Sequence, residues 1–523
     1  RYGKGYVALL GSVSTFKHDA IIQQLGKVFG LPADEIKTLQ KSSMPTDHIQ
    51  KLILQYGRLL YKFPNIMSLH PCGMLISEKP ITNYAAMFMP PKGFQTTQMD
   101  MFSAEDIGLN KFDILSQRGL GHIRDCLNLI KKNKGINVNI HDIAAFKKDE
   151  RIKNMIREAN TIGCFYIESP AMRGLLKKLR CDDYLTLVAA SSIIRPGVAE
   201  SGMMREYITR YHNRSAVRYL HPLFKEHLSE TFGVMVYQED VIKIAHYFAQ
   251  LDLGEADILR RAMSGKYRSL NEFNMIHDKF MANCEKIGHS KELATEVWRQ
   301  MQSFAGYSFN KAHSASFAVE SYQSLYLKTY YPKEFMVAVI NNFGGFYSRE
   351  LYFLELLKWG GNIHPPCINN SDFNTHISGN TVYAGFIHIK GLQELLIEKI
   401  LDDRKSKGSY LHLQEFIERI SPGLEQLNLL ISVGAFGFTG KSKKRLLWEA
   451  NFLQKKSVKI AAGMQSMFKT ETVVFELPDL NDSPIDDLYD QIEILGFPLT
   501  NPFGLVNDDP KKYVAARDLN RYV

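Results

Sequence analysis

Cysteine is scarce in this chain: six among 523 residues (Cys72, Cys126, Cys164, Cys181, Cys284 and Cys367), and no Cys-x-x-Cys. Such scatter offers neither a disulfide framework nor a zinc knuckle, and it suits a reducing cytoplasm. Long apolar runs are also missing: no window approaches the ~18 uninterrupted apolar residues that a membrane span needs, and the N-terminus lacks the basic-then-apolar layout of a secretory leader. The expectation is a cytoplasmic protein with no membrane partner. No repeat at a fixed period is visible. The most informative absence is chemical. No two aspartates are separated by one residue, so the chain carries no Asp-x-Asp, the usual local source of converging carboxylates for a pair of divalent ions. The adjacent pairs Asp182/Asp183, Asp402/Asp403, Asp486/Asp487 and Asp508/Asp509 point to opposite faces of any strand and read as solvated turns or helix starts. Clustered His/Asp sets for a metal-dependent hydrolase are not found either.

What is present is an ordinary globular composition, 45% apolar and 23% charged, over a length that suggests three to four domains. Lys and Arg number 64 against 55 Asp and Glu, a net charge of +9 that permits an anionic partner without requiring one. The chain opens on Arg1 rather than Met and closes on "RDLNRYV", which reads as a piece of a longer protein. Apolar residues recur at helical spacing over about 19–63, broken at Gly30, Pro32 and Pro64, and predict a small helical module able to stand as its own lobe. Strand-like runs follow at "HPCGMLISEK" and "GLNKFDILSQ". Beyond Gly119 some two hundred residues read as helices punctuated by Gly and Pro. Gly, Pro and Asn cluster near "WGGNIHPPCINNSDFN", before a strand-like "NTVYAGFIHIK" and further helices, so a boundary is expected near 360–390. Residues 480–510 are rich in turn formers.

Asp113 sits between Phe112 and Ile114 on an expected strand. A carboxylate there is either desolvated without compensation or set against something positive. Lys111, two residues away, shares its side of the strand; the two either pair with each other or face a phosphate and its metal. In "EADILRRAMSGK", Arg260, Arg261 and Lys266 could clamp a triphosphate; one core-edge and one solvated arginine is the plainer reading. Arg195, ahead of Pro196–Gly197, is an arginine fixed by a turn. "SFAGYSFNKAHSASFA" gathers rings and donors, including Asn310, Lys311, His313 and Ser314, in a mixture that suits a nucleotide or, equally, a helix start. His70 has no second ligand at metal spacing and reads as structural. "QMDMF", Gln98–Phe102, resembles a clamp-binding peptide but lies within expected sheet and is treated as a decoy. "IHIKGLQELL" (Lys390, Gly391) and "LLISVGAFGFTGKSKKR" (Gly434, Lys441, Lys443, Lys444) each bend at a glycine between helices. Helix-hairpin-helix elements grip duplex backbone through such turns, and a plain helix C-cap competes.

In order and spacing, "HPCGMLIS", "GLNKFDIL", "FYIESPAMRGLLKKL", "IIRPGVAESGM", "GVMVYQEDVIKIA", "LRRAMSGK", "FAGYSFNKAHSASFAVESYQSLYLKTYYPKEF" and "LLISVGAFG" closely resemble the C family of bacterial replicative DNA polymerases, over nearly the whole chain. The resemblance implies an α+β, multi-domain fold: a nucleotidyltransferase-like palm sheet (1–13 and 68–118) with an inserted helical thumb (14–67), large mainly α-helical fingers (119–390), a helix-hairpin-helix region (391–480), and a lead into a further domain (481–523). It implies template-directed DNA synthesis with two Mg²⁺ ions, on primer–template DNA and dNTPs, with a sliding clamp and other replisome subunits as partners. Asp113 matches the third metal-binding palm aspartate, and Lys111, a candidate catalytic residue beside it, matches a position around the incoming triphosphate. Arg195, Arg260, Arg261 and Lys266 match positions around the incoming triphosphate, and Asn310, Lys311, His313 and Ser314 positions near the nucleotide. Lys390, Gly391, Gly434, Lys441, Lys443 and Lys444 fall in the DNA-gripping hairpins, although Gln393 stands where the first hairpin's second glycine belongs. The family's first two metal-binding aspartates lie upstream of the segment matching "RYGKGYVALL", so this chain alone is expected to bind DNA without extending it. A non-catalytic nucleic-acid-binding or assembly module on the same fold is the rival expectation.

Overall fold

The computed structural model describes residues 2–42, 44–194, 202–263, 270–303, 310–460, 483–499, 501–505, 512–514 and 518. It is mixed α and β, mostly helical, and divides into two compact units, Arg1–Gln117 and Arg118–Val523.

The first unit is a five-stranded sheet interrupted by helices. Strand β1 (Val7–Thr15) leads into α1 (His18–Val28), α2 (Ala33–Ser42) and α3 (His48–Leu60), and the chain returns as β2 (Pro64–Ile76). Then follow β3 (Met87–Phe88), β4 (Thr96–Thr97), α4 (Met101–Asp106) and β5 (Lys111–Asp113), in the sheet order β3-β4-β1-β2-β5. The helical insertion keeps a core of its own, Ile22, Ile36, Leu39 and Ile53, separate from the sheet's Ala8, Leu10, Leu75, Ile81, Ala104 and Leu109. The helices pack closely because glycine stands at their contacts: a Cβ on Gly57 would lie 2.8 Å from Ile21, and one on Gly26 2.7 Å from Ile36. Asp47 caps α3 by accepting from the Gln50 N–H at 2.8 Å. The helical module over 19–63 is thus present. Strand β2 starts earlier than alternation alone predicts, and "QMDMF" opens α4, where Asp100 accepts from the Ser103 N–H at 2.9 Å.

The ladder between β1 and β2 breaks once. Leu9 pairs with Met74 and Gly11 with Leu69, so His70–Gly73 of β2 stand opposite Leu10 alone. Pro71 in that stretch has no N–H to give the ladder, and the extra residues bend the strand around itself. On its other side β2 pairs antiparallel with β5, Gly73 against Asp113 and Leu75 against Lys111.

The second unit is helical, with a core that runs from Ile123 to Phe497 without a break at 360–390. The helices used below are α5 (Arg118–Lys134), α6 (Tyr184–Ile193), α7 (Leu253–Met263), α8 (Lys311–Tyr330), α9 (Pro332–Asn341), α10 (Arg349–Lys358), α11 (Leu424–Ser432), α12 (Lys443–Ile460) and α13 (Pro484–Leu495). Helix α9 is buried from Glu334 to Ile340, and α8 buries Ser314, Ala318, Ser321, Tyr322, Ser324, Leu325, Leu327 and Lys328. Both therefore lie inside the unit rather than over it. A three-stranded sheet, β6 (Asn362–His364), β7 (His376–Ser378) and β8 (Thr381–Tyr383), follows in the order β6-β8-β7. The strand expected through "NTVYAGFIHIK" ends at Tyr383, and Phe386–His388 turn instead as a 3₁₀ helix. Among the described residues, no helix is long and apolar enough to cross a membrane.

Candidate active site

Asp113 closes the outer strand of the sheet with its side chain 47% exposed, so of the two expectations for it, a desolvated carboxylate or one set against a positive group, the second is the one met, by Lys111. Phe112 and Ile114 are themselves exposed at this short edge, and a three-residue strand cannot cover them. Lys111 does share the aspartate's side: its Nζ donates to both carboxylate oxygens at 3.0 Å. The Cys72 thiol donates to Oδ1 at 3.3 Å. These two donors, Lys111 first, hold the Asp113 carboxyl below the usual carboxylate range. Desolvation and the facing carboxylate push the Cys72 thiol up.

His70 is not isolated, as its sequence spacing suggests. Its Nδ1 accepts from the Gly73 N–H at 2.8 Å and lies 3.8 Å from Cys72 Sγ. Ligand atoms of His70, Cys72 and Asp113 all fall within 4.8 Å of one another. The break in the β2 ladder makes this grouping, since it turns both His70 and Cys72 toward β5. A Cβ on Gly73 would meet His70 Nδ1 at 2.8 Å, so glycine is what leaves room for the imidazole.

Magnesium prefers hard oxygen ligands and neutralising charge. Asp113 fits as one such ligand, being ionised and open to solvent. Among the described residues no further carboxylate is grouped with it, so these residues do not by themselves hold a pair of ions.

In the second unit, Arg195 and Lys266 lie outside the described residues. Arg260 and Arg261 share one carboxylate, that of Asp257, at 2.8 and 3.0 Å. The three residues sit at i, i+3 and i+4 of α7, and Arg260 also reaches Gln238 at 3.3 Å. Asn310 caps α8, accepting from the His313 N–H at 2.6 Å. The Lys311 N–H meets both Glu239 oxygens at 3.0 and 3.1 Å, and its Nζ is 2.5 Å from Glu230. His313 packs on Phe317, ring centroids 4.0 Å apart. Ser314 is fully buried with its hydroxyl 2.8 Å from that of Ser192 on α6, which corrects its assignment as a nucleotide contact: a group closed inside a helix pair cannot reach a ligand. Glu230, Glu239 and Lys311 line one cavity of about 480 Å³ with Tyr237, Asp240 and Lys243. The carboxylates there come from a distant segment and carry no sequence signal at the lysine.

Gly391 and Gly434 have φ of +80° and +88°, where a side chain is strained, and Gly434 directly follows Val433, the C-cap of α11. Lys390 is exposed, and its N–H donates to Ile494 O at 2.9 Å. The lysines after the second hairpin, expected to meet duplex backbone, are each ion-paired within the chain. Lys441 pairs with the buried Glu449 at 2.8 Å, Lys443 with Asp487 at 2.7 Å and Asp490 at 3.2 Å, and Lys444 with Asp486 at 3.0 Å. Helix α13 thus lays its acidic first turn on the start of α12, where backbone N–H groups already favour negative charge. Replacing Asp486, Asp487 and Asp490 together by Asn is expected to tighten duplex binding. The slope of log K against log salt should steepen as Lys443 and Lys444 lose three carboxylates that compete with phosphate. Fluorescence anisotropy across a salt series measures it, and an unchanged slope would show that these lysines do not meet DNA.

Residues 1–116 match the family model described as the bacterial DNA polymerase III alpha NTPase domain. Residues 119–288 match that of the bacterial DNA polymerase III alpha subunit finger domain, and 360–446 that of a helix-hairpin-helix motif. The two polymerase matches meet where the chain divides into its units. The chain is 30% identical over 517 residues to the DNA polymerase III subunit alpha of Aquifex aeolicus (strain VF5), an alignment covering 96% of this chain and 43% of that protein. It is 32% identical over 476 residues to the subunit of the same name in Staphylococcus aureus (strain COL), covering 86% and 44%, and 33% identical over 424 residues to that of strain NCTC 8325, covering 80% and 39%. The chain therefore spans less than half the length of these curated relatives.

Proposed function

The chain belongs to the bacterial DNA polymerase III alpha-subunit family, and from that premise we propose that its parent protein carries out template-directed nucleotidyl transfer from dNTP to a primer 3′-hydroxyl. The observation that carries this reading to particular residues is the Lys111–Asp113 pair on an open sheet edge, inside the segment 1–116 that matches the polymerase family. We read the sheet as the palm, α1–α3 as the inserted thumb, 119–390 as the fingers and 391–480 as the helix-hairpin-helix region.

In this reading Asp113 is one ligand of a divalent pair, most simply Mg²⁺, completed by carboxylates encoded before Arg1. When bound, such ions activate the primer hydroxyl and offset the charge of the leaving pyrophosphate. This chain's residues act on position and charge. Lys111 keeps the Asp113 carboxylate ionised and aimed. Arg260 and Arg261 reach a triphosphate by leaving Asp257, an exchange of one anion for a stronger bidentate one. Lys311 does so only by leaving Glu230. Lys390 and the turn N–H groups near Gly391 and Gly434 meet duplex phosphates. A sliding clamp and other replisome subunits are partners of the parent protein, and its setting is the cytoplasm.

The 523-residue chain by itself is expected to bind primer–template with strong salt dependence and to extend nothing, because one carboxylate does not neutralise a metal pair. Anisotropy and gel-based extension with Mg²⁺ measure both. Extension by the chain alone would overturn the assignment of the metal site. Binding without extension by a polypeptide continued upstream would favour a non-catalytic module.

A further inference from the structure

We propose that His70, Cys72 and Asp113 form a binding site for a single thiophilic divalent cation such as Zn²⁺, distinct in its ligands from any oxygen-only magnesium site. The three side chains come from the bulged part of β2 and the end of β5, so the backbone and not a mobile loop sets their spacing. Cys72 Sγ lies 3.8 Å from His70 Nδ1 and 3.3 Å from Asp113 Oδ1. Two ligands of a tetrahedral zinc, at ordinary Zn–N, Zn–O and Zn–S lengths, stand about 3.5 Å apart. These two separations already bracket that value without a metal, and the third, between His70 and Asp113, is within 4.8 Å. The Gly73 N–H fixes Nδ1 as the unprotonated ring nitrogen, which is the form that ligates. Metal binding exchanges that contact for a metal bond.

The donor set selects the metal. One sulfur, one imidazole and one carboxylate suit zinc or cobalt far better than magnesium, which takes oxygen ligands. Three protein ligands leave a fourth position for water, as in open zinc sites. On binding, the Cys72 thiol gives its proton to solvent, and thiolate plus carboxylate balance the two positive charges. Lys111, 3.0 Å from Oδ2, stays on the far oxygen and orients the carboxylate. A cation seated here takes Asp113 away from the polymerase centre. That consequence rests on the reading of Asp113 given above, whereas the binding itself does not.

The test is Co²⁺ titration of the apo 523-residue chain carrying Cys367→Ser. The other cysteines besides Cys72, namely Cys126, Cys164, Cys181 and Cys284, are buried. One equivalent is expected to bind with a thiolate-to-cobalt charge-transfer band, and Zn²⁺ should displace it stoichiometrically. Cys72→Ser should abolish the band and weaken binding at least about tenfold; His70→Ala should keep the band and weaken binding by a similar factor. Unchanged far-UV circular dichroism shows that the variants are folded. Absence of the band in the unsubstituted chain, or its survival in Cys72→Ser, would overturn the site. Neither result depends on primer extension, so failure of the polymerase reading and failure of this one are told apart.

Discussion

Asp113→Asn, in a polypeptide continued upstream of Arg1, is expected to lower primer extension by about a thousandfold while primer–template affinity stays nearly unchanged. Asparagine keeps the shape of the side chain and removes its charge, so a loss confined to turnover reports a ligand used in the transition state. The exposure of Asp113 and its place at a strand end argue against a folding defect: little packing is lost, and the Gly73 pairing is made by backbone. Single-turnover extension beside equilibrium binding measures the two effects. Lys111→Met provides the companion result. The lysine is the foremost group depressing the Asp113 carboxyl, so its loss should move the acid limb of the rate profile to higher pH. Asp113→Asn with full activity would return the residue to a structural ion pair.

Lys328→Met is expected to destabilise the second unit by about 3–5 kcal/mol. Lys328 on α8 is completely buried, and its Nζ donates to Ile162 O at 2.6 Å and to Glu355 Oε1 at 2.8 Å. Glu355 on α10, itself buried, also accepts from Trp359 Nε1 at 3.0 Å. Burial alone pushes this carboxyl up, but the Lys328 charge and the two hydrogen bonds more than offset it and leave it below its ordinary range. Removing the lysine strands the carboxylate in a core of helices. A carboxyl depressed in the fold contributes stability at neutral pH and loses it as pH falls through the folded value. Intact protein should therefore weaken on acidification below about pH 4, whereas Lys328→Met should already be weak at pH 7 and gain relative to the intact chain as Glu355 protonates. The double variant Lys328→Met/Glu355→Leu should recover much of the loss, since an apolar pair of similar volume has no desolvation to offset. Urea melts of the second unit's transition at pH 4 and pH 7 distinguish these outcomes.

Local rules were enough for several elements. Helical periodicity between Gly30, Pro32 and Pro64 marked the inserted helices, because an amphipathic pattern is written in neighbours three and four apart. Lys111 and Asp113 share a side because a strand's period is two, and 3.0 Å contacts bear that out. The glycines at 391 and 434 were legible as turns, since a positive φ is a property of one residue. The ordered motifs were also sufficient for family membership.

Only tertiary structure decided what those residues touch. Alternation cannot disclose that four residues of β2 oppose Leu10, and without that break His70 and Cys72 have no common direction. Ser314 reads as a donor in sequence and is closed against Ser192 by the packing of α8 on α6. The basic run at 441–445 looks free until α13, some forty residues later, supplies Asp486, Asp487 and Asp490. Local geometry repeats with the chain's own period and so can be read along it, whereas an ion pair or metal cluster joins residues whose separation in sequence carries no such period.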